Sequence, residues 1–175
     1  ILVSKQIYYA IHKDLGFKKD AIVIVNSPLL NRKTSVNQVF LNKLNAIPGV
    51  EQVSMGYDPP TSDYSNNADG VYKDGKKEIK IENLTTKFGD ENYIKVYHIK
   101  LLEGRKLAAG DTLKAFLINN TLAKQIGFKD PHDAVGKMIS NFNGNAGDIR
   151  IVGVVSDFNQ ESLHAAITPL VILTV

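Results

Sequence analysis

Asp157, Glu161 and His164 fall within eight residues and are the nearest approach to a chemical constellation in the chain. Glu161 and His164 are three residues apart, a spacing that turns both to one face of a helix. With a third donor from elsewhere, such a pair would hold a zinc-like ion and make a small metal-dependent hydrolase. The structural alternative is simpler: Asp157 caps a short helix and the other two side chains are solvated. Ser162 beside them completes the residue types of a nucleophilic triad, but no Gly-x-Ser-x-Gly turn occurs to strain a serine and supply an oxyanion hole. Asp58, Asp63, Asp69 and Asp74 recur at intervals of five or six. A calcium loop needs alternating ligands closed by a bidentate Glu, so these four read as turn residues.

Other chemistries lack their parts. His12, His98 and His132 stand singly, and neither a Gly-x-Gly-x-x-Gly turn nor a Walker loop marks a nucleotide site. Seven Tyr and seven Phe without Trp are spread at core periodicities, which argues against an aromatic platform for sugars or single strands. Two Asn-x-Thr sequons occur, at Asn83 and Asn119; the second sits at a strand-to-helix junction and reads as a cap that bonds the backbone. No convergent catalytic set remains, and no cofactor is expected. A domain that works by contact and force transmission fits this composition.

The elements that would carry these residues follow from periodicity. Val3, Ile7, Ala10 and Ile11 predict an N-terminal helix over residues 2 to 15, with Gly16 as its left-handed cap. Ile22 to Val25 is wholly apolar and β-branched, which predicts a central strand buried on both faces. A helix capped by Thr34 or Ser35 buries Val36, Val39, Phe40, Leu44 and Ile47 and ends at Pro48-Gly49. Val53, Met55 and Tyr57 then alternate with small or polar residues, a second strand that would complete a βαβ-like unit. Asp58 to Asn67 is turn-rich. Beyond it, Val71-Tyr72 and Ile79 to Ile81 flank Asp74-Gly75, a hairpin signal. Asp90 caps a short helix burying Tyr93, Ile94 and Tyr97.

The last third repeats this grammar. Strands are predicted over Ala115 to Ile118, Lys137 to Phe142 and Ile149 to Val155, a helix from Asn120 to Gly127, a Gly/Asn loop from Asn143 to Gly147, a short helix around Gln160 to Leu163, and a closing apolar strand after Pro169. Helices and antiparallel hairpins interspersed in this way predict an α+β class with a mixed sheet.

With 175 residues, 43% hydrophobic and 22% charged, the chain is long enough to bury a core and is globular rather than disordered. The net charge of +3 comes from scattered Lys and Arg, without the basic stripe that nucleic acid requires. The absence of Cys excludes a disulfide framework, a Cys-based zinc site and a thiol nucleophile. The chain opens on Ile1-Leu2-Val3 and closes on Leu170 to Val175, both apolar. Termini are usually polar, so a segment cut from a longer protein is expected.

The second half resembles one family. Asp90-Glu91-Asn92-Tyr93-Ile94, Ile99-Lys100-Leu101-Leu102-Glu103-Gly104-Arg105, Leu117-Ile118-Asn119-Asn120-Thr121-Leu122-Ala123, Ala134-Val135-Gly136-Lys137, Ile151-Val152-Gly153-Val154-Val155-Ser156-Asp157-Phe158 and Ser162-Leu163-His164 with Ile167-Thr168-Pro169 follow the order and spacing of the MacB-type periplasmic core domain. That domain belongs to ABC transporter permeases of the MacB, FtsX and LolC/LolE superfamily. Gln6-Ile7-Tyr8-Tyr9 with Asp14-Leu15-Gly16-Phe17 looks like its Bacteroidetes-type branch. Asn120, Ser156 and Ala165-Ala166 depart from the family's usual Glu, Lys and charged residues.

The resemblance implies a water-soluble domain between the first and second membrane helices of a permease, at the periplasmic face of the inner membrane. It implies a porter-like lobe of residues 1–98 with 158–175 and an inserted second lobe of residues 99–157. It implies ATP hydrolysis in a separate ABC ATPase subunit, and partners such as a periplasmic adaptor, lipoprotein, peptide or cell-wall hydrolase. The motif positions have structural readings. Gly104 and Gly153 suit close backbone approach, Gly136 a left-handed turn, and Arg105 a tie to Asp111 or Asp157, while Asn119, Asp157 and Pro169 mark junctions. A different class, an extracytoplasmic sensor that binds a small ligand, would instead need a deep pocket with convergent polar groups.

Overall fold

Successive side chains of a strand face opposite ways, so an apolar run without a polar face must be covered on both sides. Three such runs organise this molecule. The computed structural model describes residues 8, 14–18, 21–26, 34–62, 66–111, 114–144, 147–160 and 165–174. Among these, the strands in chain order are β1 (Asn66–Asp74), β2 (Lys77–Phe88), β3 (Leu101–Gly104), β4 (Ala115–Asn119), β5 (Met138–Ser140), β6 (Ile149–Val155) and β7 (Leu170–Leu173). The helices are α1 (Thr34–Asn45), α2 (Tyr93–Val96), α3 (Asn120–Gln125) and α4 (Pro131–Ala134). The strands that carry these runs, β4, β6 and β7, lie side by side, β4 parallel to β6 and antiparallel to β7.

One mixed sheet runs β3-β6-β4-β7-β2-β1-β5, and β5 also pairs with the start of β6. Six strands thereby close into a ring, with β3 alongside the second half of β6. All six ring strands send side chains into one core, among them Tyr72, Leu84, Phe116, Ile139, Ile151 and Val171. That shared cluster is the ring's interior. Leu122, Ala123 and Ile126 after β4 and Ala134 on α4 pack against it, and the Phe142 ring lies 4.8 Å from that of Phe116. The alternate residues of the apolar strands, Ala115, Leu117, Val152, Val155, Leu170 and Ile172, face outward. Tyr93 and Ile94 of α2, with Ile99, Leu107 and Phe158, cover them. At about 1.5 to 3 kcal/mol for each large apolar side chain fully buried, these two faces carry most of the folding energy.

The α+β class with a mixed sheet is observed, and several predicted elements are found. The Asp74-Gly75 hairpin joins β1 and β2 with Asp74 opposite Lys77, and Gly75 adopts φ 57°. Glu78, Lys80 and Glu82 face solvent while Ile81 is buried. The strand over Ile149 to Val155 and the closing apolar strand both form.

Other expectations are corrected. Ile22 to Val25 is no buried central strand: it is unassigned, with Val23 84% exposed and Ile24 and Val25 also exposed. A run of β-branched residues fits a strand buried on both faces, but burial needs neighbours, and no strand among the described residues pairs with it. The strand expected at Val53 to Tyr57 reduces to an isolated bridge between Gly56 and Gly89. The βαβ-like unit therefore does not form here. Its helix, α1, exists, yet Val36, Val39 and the following Ile47 are exposed. In the other direction, β2 continues seven residues past Ile81 to Phe88, through an Asn83 at φ 54° where the register with β1 shifts. The strand predicted to Phe142 stops at Ser140 and turns into a 3-10 segment. The single sheet takes strands from both sides of the expected lobe boundaries at 98/99 and 157/158. The helices predicted over residues 2 to 15 and around Gln160 to Leu163 lie almost wholly outside the described residues.

Gly104 and Gly153 pair across β3 and β6. A Cβ on Gly104, at φ 80°, would sit 2.4 Å from the Val152 carbonyl oxygen, and one on Gly153 would sit 2.6 Å from that of Arg105. Gly104→Ala adds left-handed strain to the clash, Gly153→Ala adds the clash alone, and Gly110→Ala meets open space. Urea unfolding should show losses of about 1 to 3 kcal/mol for Gly153→Ala, more for Gly104→Ala, and no loss for Gly110→Ala.

Candidate functional site: the joint between residues 14–18 and the sheet

Asn119 ends β4 and is fully buried. Its Oδ1 accepts the Leu122 N–H at 3.0 Å, capping α3, and the Leu170 N–H at 3.0 Å, fixing the start of β7. Its Nδ2 donates to the Thr168 carbonyl at 2.9 Å. With the sequon residue fully buried and its Nδ2 donating within the core network, Asn119 is unavailable to a glycan. Thr168 Oγ1 in turn bonds Gln160 Oε1 at 2.7 Å and lies 3.1 Å from Thr85 Oγ1, and the Pro169 carbonyl accepts the Thr85 N–H at 2.9 Å. Asp157 Oδ1 accepts the Thr121 N–H at 2.9 Å, at the first turn of α3. The junctions of β4, α3 and β7 are thus one polar network.

Residues 14–18 join the outer face beside it. The Leu15 carbonyl accepts from Asn159 twice, from N–H at 2.8 Å and from Nδ2 at 3.3 Å. The Lys18 N–H donates to the Tyr97 carbonyl at 2.8 Å. Between them the Phe17 ring stands edge-on to Tyr97 and Phe158, with centroids at 6.3 and 6.2 Å. Gly16 makes this approach possible: at φ 79°, a Cβ would meet the Asp157 carbonyl oxygen at 2.6 Å and Phe158 Cα at 2.8 Å. Asp14 Oδ1 accepts the Gly16 N–H at 2.8 Å and sets the turn.

A strap of residues 57–62 crosses the same face above a buried amine. Lys87 on β2 is 1% exposed, and its Nζ donates to Ser62 Oγ at 3.0 Å. Burial pulls its pKa below the ordinary lysine value, and Asp58 partly offsets this. Tyr93, whose ring lies against Gly56 and Gly89, donates its hydroxyl to the Asp58 carbonyl at 2.9 Å, and burial holds that phenol well above its usual pKa. Thr61 Oγ1 donates to the Asn159 carbonyl at 2.9 Å. Asp90 holds the chain leading to the strap, accepting from Ser54 Oγ at 2.6 Å and Met55 N–H at 2.8 Å; burial raises its carboxyl pKa against the pull of these bonds.

The remaining candidates are separate from this joint. Arg105 makes a two-pronged contact with Asp111 at 2.6 and 2.9 Å, whose hydrogen bond holds the Asp111 carboxyl below its usual range. Arg105 thereby closes the 105–111 loop, and Asp157 is engaged elsewhere. Gly136 turns at φ 86° and its N–H donates to the Ile151 carbonyl at 2.8 Å. His132 is exposed, 3.5 Å from Glu103, and His98 is exposed at a left-handed turn. Asp69 accepts the Asn83 N–H, and Asp74 lies at the hairpin turn. Glu161, Ser162, His164, Asp63 and His12 lie outside the described residues, and among the described residues no three His, Asp or Glu converge as a metal site. Lys87, Thr61 and Asn159 carry no sequence signal: Lys87 sits in the polar stretch Thr85-Thr86-Lys87, and nothing local shows that the strap covers it.

Two outcomes test this geometry. Asn119→Ala strands the buried Leu122 and Leu170 N–H groups, while the Thr168 carbonyl keeps its bond from Gln160 Nε2, and should lower stability by about 3 kcal/mol in thermal or urea unfolding. Because the folded-state pKa of Lys87 is depressed, the cost of burying its charge disappears as pH rises toward the unfolded value near 10.5. Stability measured from pH 8 to 10 should rise in the native chain relative to Lys87→Met, in which that rise is absent.

No helix among the described residues is long and apolar enough to cross a membrane. A family model described as the MacB-like periplasmic core domain matches residues 8–174. Among solved structures, the chain is similar to the periplasmic region of MacB from Actinobacillus actinomycetemcomitans, with 19% identity, TM-score 0.49, 78% of this chain and 54% of that one. It is also similar to the extracellular domain of the ABC-type transporter YknZ from Gram-positive bacteria, with 16% identity, TM-score 0.47, 77% of this chain and 59% of that one. The chain thus spans little more than half the length of either structure. A comparison with curated protein sequences finds no match. The family match covers nearly every residue, including each motif from Asp90 to Pro169, and the chain belongs to the MacB-like periplasmic core domain family.

Proposed function

We propose that this chain is the non-catalytic extracytoplasmic domain of an ABC transporter permease, carrying the effect of ATP hydrolysis on the cytoplasmic side to substrate export or to an envelope partner. The observation that supports this most directly is the joint at residues 14–18. Two main-chain contacts, an aromatic wedge and a crowded left-handed turn that requires Gly16 fasten this segment to the outer face of the sheet. In this reading the segment continues from a membrane helix, and a displacement of that helix is delivered to the sheet. The partners are the flanking transmembrane helices, an ABC ATPase subunit, and a periplasmic adaptor, lipoprotein, peptide or hydrolase on the outer side.

The lobes belong to the same proposal. The closed sheet of β1 to β7 supports one rigid lobe, while residues 22–26 and 34–57 contribute the other, whose exposed Val23, Ile24 and Val25 are covered by the rest of the permease. Transmission between two lobes requires a stiff body and a joint.

Hydrogen exchange on the parent permease with its ATPase subunit tests this reading. The amides of Lys18 and Asn159, which hold the joint, should change exchange rate by roughly tenfold between nucleotide-free and ATP-trapped states, while those of β4 and β6 hold constant. Identical exchange at the joint in both states would sink the proposal.

A further inference from the structure

Two separate linkages run from residues 14–18 to the strap over Lys87. The first passes through one peptide unit and its neighbour: Asn159 receives the segment through its N–H and Nδ2, both bonded to the Leu15 carbonyl, and holds the strap through its own carbonyl, bonded to Thr61 Oγ1. The second passes through rings. Phe17 stands against Tyr97, which also accepts the Lys18 N–H; the Tyr97 ring lies 5.0 Å from that of Tyr93, and the Tyr93 hydroxyl holds the Asp58 carbonyl. The two linkages reach the strap at Asp58 and at Thr61, and the residue after Thr61 is Ser62, the acceptor for the Lys87 ammonium.

We infer that the 57–62 strap is a cover whose closure over Lys87 is set by the seating of residues 14–18. Seated, the segment holds Asn159 and Tyr97, these hold Thr61 and Asp58, and the amine is sealed. Unseated, both ties lose their anchor together, and a buried lysine is presented on the outer face. The strap is suited to release because its main-chain bond to the sheet, from the Tyr57 N–H to the Phe88 carbonyl at 3.1 Å, lies at its first residue and the bonds at Asp58 and Thr61 each use a side chain, whereas the sheet beneath is held by ladders and a core buried on both faces. This coupling is a property of the fold and does not depend on what moves the segment.

Lysine acylation reads the cover directly. The parent protein, without nucleotide, is treated with a water-soluble N-hydroxysuccinimide acetate, and modification of Lys87 is followed by mass spectrometry against the exposed Lys76 and Lys124. Thr61→Val with Tyr93→Phe removes the two ties that connect the strap to the seat, leaving its Tyr57 bond to Phe88 in place, and should raise Lys87 labelling roughly tenfold or more. Gly16→Ala disturbs the seat, where its Cβ meets Asp157 and Phe158, without touching the strap itself, and should raise labelling at least about threefold, with the amides of Ile118 and Val154 still protected. If Gly16→Ala costs that protection, Phe17→Leu is read in its place. A rise in the strap variant without one in the seat variant overturns the coupling. No rise in either overturns the cover itself. Because nucleotide is absent, a failure here is distinct from a failure of the ATP-driven reading.

Discussion

The side-chain amide of Asn119 is the contact on which the rest of the structure depends. β7 joins β4 to β2 directly and so completes the ring, since it pairs antiparallel with the first and parallel with the second. Its first residue is placed by the same oxygen that caps α3. A buried amide that satisfies two N–H groups and a carbonyl fixes the angle at which three elements meet, because any other angle strands a polar group at low dielectric. Apolar burial supplies the driving force, but apolar contacts are not directional. The amide network supplies direction.

The glycine pair serves the same end on the other side of β6. β6 divides one edge between β5 and β3, and its pairing with β4 skips from Ile151 to Gly153. That irregularity changes which residues face inward, so that Ile149, Ile151 and Val154 share the interior although their spacing is uneven. Only a chain without a Cβ passes where the Arg105 carbonyl stands against Gly153. Curvature of the sheet, and so the closure of the ring, rests on this point more than on any propensity.

Legibility from sequence followed locality. The Asp74-Gly75 hairpin, the Asn119 cap and the strand over Ile149 to Val155 are readable because each signal is contained within a few residues. Ile22 to Val25 was misread for a physical reason: an apolar β-branched run records that the chain can be a buried strand, and only neighbours decide whether it is one. The extension of β2 past Asn83 was hidden because a left-handed residue interrupts the alternation that marks a strand. The joint itself was half legible. Gly16 was visible as a left-handed turn, but its reason, the approach of Asp157 and Phe158 from the far end of the chain, is not a local property.

A stiff sheet and a lightly tied strap on one face are complementary requirements for the proposed transmission of movement. Force applied to a uniformly soft body is dissipated; applied to a uniformly stiff one it moves everything and exposes nothing. Here β4, β6 and β7 are covered on both faces and have few ways to deform, because displacing any one opens a void in two cores. Residues 14–18 are fastened to that body by contacts few enough to exchange, and the strap rests on the same contacts. Desolvation of Lys87 adds a bias, since a sealed ammonium with a hydroxyl partner is costlier than a hydrated one. In the proposed opening of the strap, hydration of the ammonium would offset part of the loss of the bonds that hold it.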